Sequence, residues 1–109
     1  MLILHQPVGN YLAAWKTMEK AYKEGKVRAL GLSNFPQEKI AEVIDHAEIK
    51  PQLVTVECHP YFAQSGLREY LSQYGIVIEA WYPLGHGDKG LQEEPVFTKL
   101  AEKYGIPWL

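Results

Sequence analysis

Four short apolar segments alternate with amphipathic segments along the chain, and this alternation constrains the fold more than any other feature. The apolar segments are residues 2–4, 27–32, 53–56 and 76–80. Each is followed by apolar residues that recur at helical spacing. Short, nearly continuous apolar strands that alternate with helices are typical of a parallel sheet covered by helices. The sequence therefore predicts an α/β fold of four consecutive βα units.

Residues that start or stop helices delimit the four helical segments. Gly25 and Gly75 are placed to end the first and third helices, and Ser65 is a candidate N-cap for the third. Pro36 and Pro95 mark the starts of the second and fourth helices. The apolar faces comprise Leu12, Trp15, Met18 or Glu19 and Tyr22; Ile40, Val43, Ile44 and Ala47; Leu67, Tyr70, Leu71 and Tyr74; and Val96, Phe97, Leu100, Ala101 and Tyr104.

The spacing between the ends of the apolar segments is regular. The intervals from His5 to Ser33, Ser33 to Cys58, and Cys58 to Trp81 are 28, 25 and 23 residues. Eight such units approach the length of about 250 residues typical of a (β/α)8 barrel. Residues 1–109 are therefore predicted to form a partial (β/α)8 TIM barrel, about half of one. The alternative, a small doubly wound fold, usually has a Gly-rich turn after its first strand, where this sequence has HQP.

Composition excludes some classes of binding partner and indicates the cellular compartment. The formal net charge is −2 with acids and bases interspersed, whereas nucleic acids and anionic membranes bind clustered Lys and Arg. The opening MLILH is too short an apolar run for a signal peptide or a membrane span. A single cysteine, Cys58, favours a reducing compartment. We predict a cytoplasmic protein that binds neither nucleic acid nor a membrane.

Chemically distinctive side chains follow each of the four predicted strands. They are His5; Ser33 and Asn34; Glu57, Cys58 and His59; and Trp81 and Tyr82. Parallel α/β folds build their sites at the carboxyl ends of the strands, because the βα loops open there. Cys58 and His59 lack a second pair at metal-ligand spacing, so no metal site is predicted.

Four motifs at these strand ends resemble motifs of the aldo-keto reductase family. EGKVRALGLSNF at residues 24–35 resembles the central signature, and VECHPY at residues 56–61 resembles a second motif. LILH at residues 2–5 resembles the strand that carries the active-site histidine, and AWYPLG at residues 80–85 resembles the strand whose aromatic residue stacks on nicotinamide. The resemblance covers nearly all of the chain and implies that the chain corresponds to roughly the central half of the family's barrel. It implies NAD(P)H-dependent reduction of aldehydes or ketones to alcohols, without a metal.

The resemblance also assigns the cofactor contacts. It implies that Ser33 and Asn34 hydrogen-bond the nicotinamide carboxamide. It implies that Trp81, where the family usually has tyrosine, stacks on the nicotinamide ring. Leu84, Gly85 and the loop to residue 91 would lie along the pyrophosphate, since glycines let backbone amides approach phosphate oxygens. The implied cofactor is NADP, with NAD as an alternative.

The resemblance places His5 beside the substrate carbonyl, as an electrophile or a partner in proton transfer. In the family, the proton-donating tyrosine and its lysine and aspartate partners lie on strands before the part that this chain resembles. Tyr11, Tyr22 and Tyr82 do not match the motif of that tyrosine. We therefore expect the chain to be a fragment that is inactive alone.

Other interpretations stay open beside these assignments. His5 could be a core histidine, and Ser33 and Asn34 could form only a turn and a helix cap. Thr55 stands where the family commonly has a glutamine that helps to hold the carboxamide, and Gln6 where many members have tryptophan. The alternative function is a non-catalytic, nicotinamide-binding or degenerate relative of the barrel. Open sheet edges would favour self-association of the half-barrel.

Overall fold

The computed structural model describes residues 1–87 and 89–107, which form four strands and five helices, one helix more than predicted. In chain order the elements are β1 Leu2–Leu4, α1 Tyr11–Lys23, β2 Leu30–Ser33, α2 Gln37–His46, β3 Leu53–Glu57, α3 Ser65–Ser72, β4 Val77–Trp81, α4 Lys89–Gln92 and α5 Pro95–Tyr104. A 3₁₀ turn, Gly85–Gly87, lies between β4 and α4. No helix in the described ranges is both long and apolar enough to cross a bilayer.

The sheet is entirely parallel, with the strands in the order β1-β2-β3-β4. Its register sets Ser33, Thr55 and Glu79 side by side across the last three strands. Since all the strands run the same way, their carboxyl ends lie at one edge of the sheet. β1 and β4 are the outer strands.

One face of the sheet packs against helices and forms the core. The buried cluster comprises Trp15, Met18, Leu30, Leu32, Phe35, Ile40, Val43, Ile44, Val54, Val56, Leu71 and Ile76. Alternate strand residues face this core, as the two-residue period of a strand requires. In α2, Ile40, Val43 and Ile44 lie on one helical stripe and are all buried. Burial of that stripe holds α2 against the sheet.

The opposite face of the sheet, here called the open face, carries Ile3, Gly31, Ser33, Leu53, Thr55, Glu57, Val77, Glu79 and Trp81. In the described part of the chain, the cluster of buried helix side chains lies on the other face. Ile3 is 38 % exposed and Val77 is 60 % exposed. A Cβ atom at Gly31 would lie 3.0 Å from the Leu53 carbonyl oxygen. The backbones of β2 and β3 are therefore closely packed at this pair of residues.

Several element boundaries differ from the sequence-based predictions. β2 begins at Leu30 rather than at residue 27, because its partner strand begins at Leu2, which pairs with Leu30. Ser65 is not the N-cap of α3; the cap is Gln64, in a left-handed conformation with φ 54°. α3 also ends at Ser72, before the predicted stop at Gly75. The short helix α4 lies where the sequence predicted only a Gly-rich loop.

Candidate functional site

The predicted site residues meet at the carboxyl edge of the sheet, where β2, β3 and β4 end at Ser33, Glu57 and Trp81. His5 follows β1 directly and Asn34 follows β2 directly. Parallel pairing of the four strands is the cause, because it aligns their carboxyl ends. The structure thus brings these residues to one edge, as the sequence predicted.

Asn34 turns the chain out of β2 and is held by its neighbours. Its φ of 58° lies in the left-handed region, which asparagine tolerates better than most residues. Its backbone N–H donates to the Thr55 carbonyl oxygen at 3.0 Å, and its Nδ2 donates to Ser33 Oγ at 3.1 Å. Ser33 is buried, whereas Asn34 is exposed. The turn therefore presents the Asn34 amide at the surface of the carboxyl edge.

Trp81, at the end of β4, reaches Asn34 across the neighbouring strand β3. Its indole Nε1 donates to Asn34 Oδ1 at 2.8 Å, across 47 residues of sequence. Its side chain remains 39 % exposed. A flat aromatic surface therefore lies beside an amide and a hydroxyl group. No local sequence signal predicted this hydrogen bond.

Thr55 and Glu79 form a polar pair on the open face. Thr55 Oγ1 donates to Glu79 Oε2 at 2.7 Å, and the two residues are register partners. The Thr55 hydroxyl is thus directed to β4. Glu79 was missed as a site neighbour, although a charged residue within an apolar segment is a signal that could have identified it.

A second cluster forms around His59, just beyond β3. His59 Nε2 lies 3.0 Å from Glu57 Oε1, and Gln64 Nε2 donates to the Glu57 carbonyl oxygen at 2.8 Å. His59 Nδ1 is buried and has no hydrogen-bond partner among the described residues. Cys58 is half-buried, and its Sγ accepts from Arg68 at 3.8 Å. Glu57 therefore joins β3 to the loop that follows it, through its side chain and its carbonyl oxygen.

These residues do not gather as metal ligands. Within residues 1–87 and 89–107, no group of three or more His, Cys, Asp or Glu side chains is arranged to hold a metal ion.

The segment after β4 folds into a tight turn next to Trp81. Tyr82 has a φ of 66°, and the Gly85 N–H donates to the Tyr82 carbonyl oxygen at 3.1 Å. The Tyr82 ring packs edge-on to His86, with centroids 4.2 Å apart. Gly85 is buried, with φ 62°, and Leu84 is 42 % exposed. Asp88, within the loop predicted to follow the pyrophosphate, lies outside the described residues.

His5 lies at the β1 side of the carboxyl edge. It is exposed, and it follows Leu4, which pairs with Leu32. His5 is therefore level with Ser33 on the neighbouring strand. The assignment of His5 to the substrate carbonyl stays a prediction.

The shifted pKa values belong to residues outside the predicted site. The Tyr11 hydroxyl donates to the Glu42 carboxylate, which raises the pKa of Tyr11. The Lys23 ammonium pairs with Glu48, and this contact raises the pKa of Lys23 and lowers that of Glu48. Both contacts are exposed and join α1 to neighbouring segments.

Comparison with known proteins decides the family. The profile of the aldo/keto reductase family matches residues 1–103. The chain belongs to the aldo/keto reductase family. Glyoxal reductase of Bacillus subtilis is 42 % identical over 105 residues, which are 95 % of this chain and 37 % of that relative. Human aldo-keto reductase family 1 member A1 is 40 % identical over 104 residues, which are 88 % of this chain and 32 % of that relative.

Solved aldo/keto reductase structures share the fold. A Gox0644 variant in complex with NADPH superposes with a TM-score of 0.90 at 32 % identity, covering 98 % of this chain and 40 % of that one. An aldo/keto reductase from Brucella melitensis gives a TM-score of 0.87 at 32 % identity, covering 98 % and 41 %. The predicted fold class, a partial α/β barrel, is confirmed. The chain spans about a third of the length of the curated relatives that it matches.

Proposed function

We propose that this aldo/keto reductase chain holds the nicotinamide end of NADP(H) in an oxidoreductase that reduces aldehydes or ketones to alcohols. One observation carries the proposal: the exposed indole of Trp81 lies beside the Ser33–Asn34 amide and hydroxyl cluster. Nicotinamide is a flat ring with a carboxamide at its edge, and it is complementary to such a surface. The NADPH complex of the similar protein Gox0644 supports the choice of cofactor. NAD is the alternative.

The residues present fit the cofactor. Trp81 offers an aromatic face for stacking, and Ser33 and Asn34 offer polar atoms to the carboxamide. Leu84 and Gly85 are assigned to the pyrophosphate side, because the turn after β4 brings them next to Trp81. Gly85 adopts φ 62° in this turn, a conformation that glycine takes without steric cost.

His5 is assigned to the carbonyl substrate. Reduction adds a hydride to the carbonyl carbon and a proton to the oxygen, and NADPH supplies the hydride when it is bound. The His5 ring stands one strand from Ser33 at the carboxyl edge. A hydrogen bond donated by its imidazole N–H would stabilise the charge that develops on the carbonyl oxygen. Proton donation is assigned to the tyrosine of the family motif, which Tyr11, Tyr22 and Tyr82 do not match.

The same geometry supports nicotinamide binding without turnover as a second candidate. The cluster of Ser33, Asn34 and Trp81 is held together by hydrogen bonds within one sheet. Binding could therefore persist where catalysis is lost.

Titration of the 109-residue chain with NADPH tests the proposal directly. We expect binding, and we expect Trp81→Ala to raise the Kd about tenfold, since stacking on an aromatic side chain is worth about 1–3 kcal/mol. His5→Ala is the matched control, because His5 is assigned to the substrate and should leave the Kd unchanged. Equal affinity of Trp81→Ala and the unsubstituted chain would refute the assignment.

The catalytic assignment needs the rest of a barrel. In a chimera, residues 1–103 replace the matching segment of the Bacillus subtilis glyoxal reductase. We expect His5→Ala in this chimera to lower kcat/KM about 10²-fold or more, the range of general acid–base effects, with little change in cofactor Kd. Unchanged turnover would return His5 to a structural role.

The 109-residue chain alone should show no carbonyl reductase activity. Loss of a general acid typically costs about 10²–10⁴-fold in rate. The check is the fall in NADPH absorbance with a reactive aromatic aldehyde. Turnover at an ordinary enzymatic rate would contradict this expectation and require a proton donor within these residues.

A further inference from the structure

The indole of Trp81 determines which way the Asn34 amide points. Its Nε1 lies 2.8 Å from Asn34 Oδ1. An indole N–H is a donor only, so it needs an acceptor opposite it. A flipped amide would set the Asn34 NH₂ group against the indole N–H, donor against donor. The oxygen of the Asn34 amide therefore faces Trp81.

Ser33 and Thr55 hold the rest of Asn34. Asn34 Nδ2 donates to the buried Ser33 Oγ at 3.1 Å. The Asn34 backbone N–H donates to the Thr55 carbonyl oxygen at 3.0 Å. Asn34 thus has contacts to β2, β3 and β4 together. Of these contacts, the one from Trp81 selects the acceptor end of the amide.

The remaining hydrogen-bonding capacity of Asn34 matches a primary carboxamide. An amide has two N–H donors and two acceptor lone pairs on its oxygen. In these contacts Ser33 uses one donor of Asn34 and Trp81 uses one lone pair. One donor and one acceptor therefore remain on the Asn34 amide. A primary carboxamide presents the complementary acceptor and donor.

We propose that Trp81 is a positioning residue for Asn34, which it orients to recognise a primary carboxamide on the bound pyridine ring. The inference rests on the proposed function. It assigns Trp81 two separable contributions, a stacking face and an oriented hydrogen bond. Trp81→Phe separates them, because phenylalanine keeps a flat ring and has no N–H.

The test compares two dinucleotides on two proteins. NADP⁺ carries the carboxamide, whereas its 3-acetylpyridine analogue keeps the carbonyl oxygen and lacks the amide N–H groups. The unsubstituted 109-residue chain should bind NADP⁺ about three- to tenfold more tightly than the analogue, the range of one hydrogen bond. In Trp81→Phe the ratio of the two dissociation constants, analogue over NADP⁺, should fall towards one. Trp15→Phe is the matched control, since the Trp15 indole bonds the Ile49 carbonyl oxygen inside the fold, and it should keep the ratio.

A measurement without ligand complements the binding ratio. The indole ¹H–¹⁵N resonance of Trp81 is the one that disappears in Trp81→Phe. Asn34→Ala should shift that resonance, because the acceptor is removed, while Ser33→Ala should shift it much less. Far-UV circular dichroism verifies that each variant is folded.

The outcomes separate the inference from the function on which it rests. An unchanged dinucleotide ratio in Trp81→Phe overturns the inference alone. An indole resonance that does not move in Asn34→Ala does the same, since the hydrogen bond is then not formed. If the unsubstituted chain binds neither dinucleotide, the proposed function fails and the inference fails with it.

Discussion

Single residues at the carboxyl edge combine strained backbone with polar side chains. Asn34 and Tyr82 both have positive φ values, 58° and 66°, directly after β2 and β4. Left-handed backbone is costly for residues that carry a Cβ atom. The structure nevertheless uses it at both strand ends, where it directs Asn34 towards Trp81 and Tyr82 towards His86. Strain of this kind clusters at functional sites.

Asn34→Gly and Asn34→Ala should differ in stability although both remove the same amide. Glycine adopts the left-handed conformation without steric cost, whereas alanine does not. We expect the free energy of unfolding of Asn34→Ala to be about 1 kcal/mol lower than that of Asn34→Gly, after allowance for the greater entropy of glycine in the unfolded chain. Urea denaturation of the two variants measures the difference. Equal midpoints would show that the turn relaxes out of this conformation.

At the scale of elements, burial of the helix faces on one side of the sheet holds the βα units together. α2 places Ile40, Val43 and Ile44 against the strands. Ile40 and Val43 are fully buried. α5 contrasts with α2, because none of the residues of α5 is buried. Val96 of α5, for example, is 54 % exposed. Contributions to stability should therefore differ sharply between the two helices.

Ile40→Ala should destabilise the chain strongly. Removal of a buried isoleucine side chain typically costs about 2–5 kcal/mol, from lost burial and from the cavity left behind. The control is Val96→Ala on α5, an aliphatic truncation at an exposed position, which should change stability by about 0.5 kcal/mol or less. Thermal or urea unfolding of both variants measures the contrast. A small effect at Ile40 would mean that α2 does not pack as described.

At the scale of the whole molecule, the sheet is open on two sides. Its order leaves β1 and β4 as outer strands, and the open face exposes apolar side chains such as Ile3 and Val77. Unpaired strand edges and exposed apolar surface both favour association. If two copies paired through their outer strands, the backbone groups of β1 and β4 would gain hydrogen-bond partners. The open faces of both copies would also be buried.

We therefore expect the 109-residue chain to self-associate, as a dimer of half-barrels or as larger aggregates. Val77→Lys would place a charge on the open face and should weaken association. The matched control is Val96→Lys, on the exposed surface of α5. Light scattering at high micromolar concentration gives the mass of each variant. A monomer with a sharp, cooperative melt would contradict the half-barrel description.

The sequence by itself determined the order of the elements, the strand ends that carry polar side chains and the resemblance to the aldo-keto reductase family. These features depend on local patterns: the period of apolar residues, the residues that stop helices, and contiguous motifs. Parallel pairing then dictates that the ends of the strands meet. The positions of His5, Ser33, Asn34 and Trp81 at one edge could therefore be predicted.

Only the tertiary structure decided the bonds between those residues and the limits of the strands. The Trp81–Asn34 and Thr55–Glu79 hydrogen bonds join residues 47 and 24 positions apart. They depend on side-chain directions that register and packing set together. β2 starts late because a strand extends only where a neighbour supplies hydrogen-bond partners, and β1 is just three residues long. Local sequence carries no information about the length of a neighbouring strand.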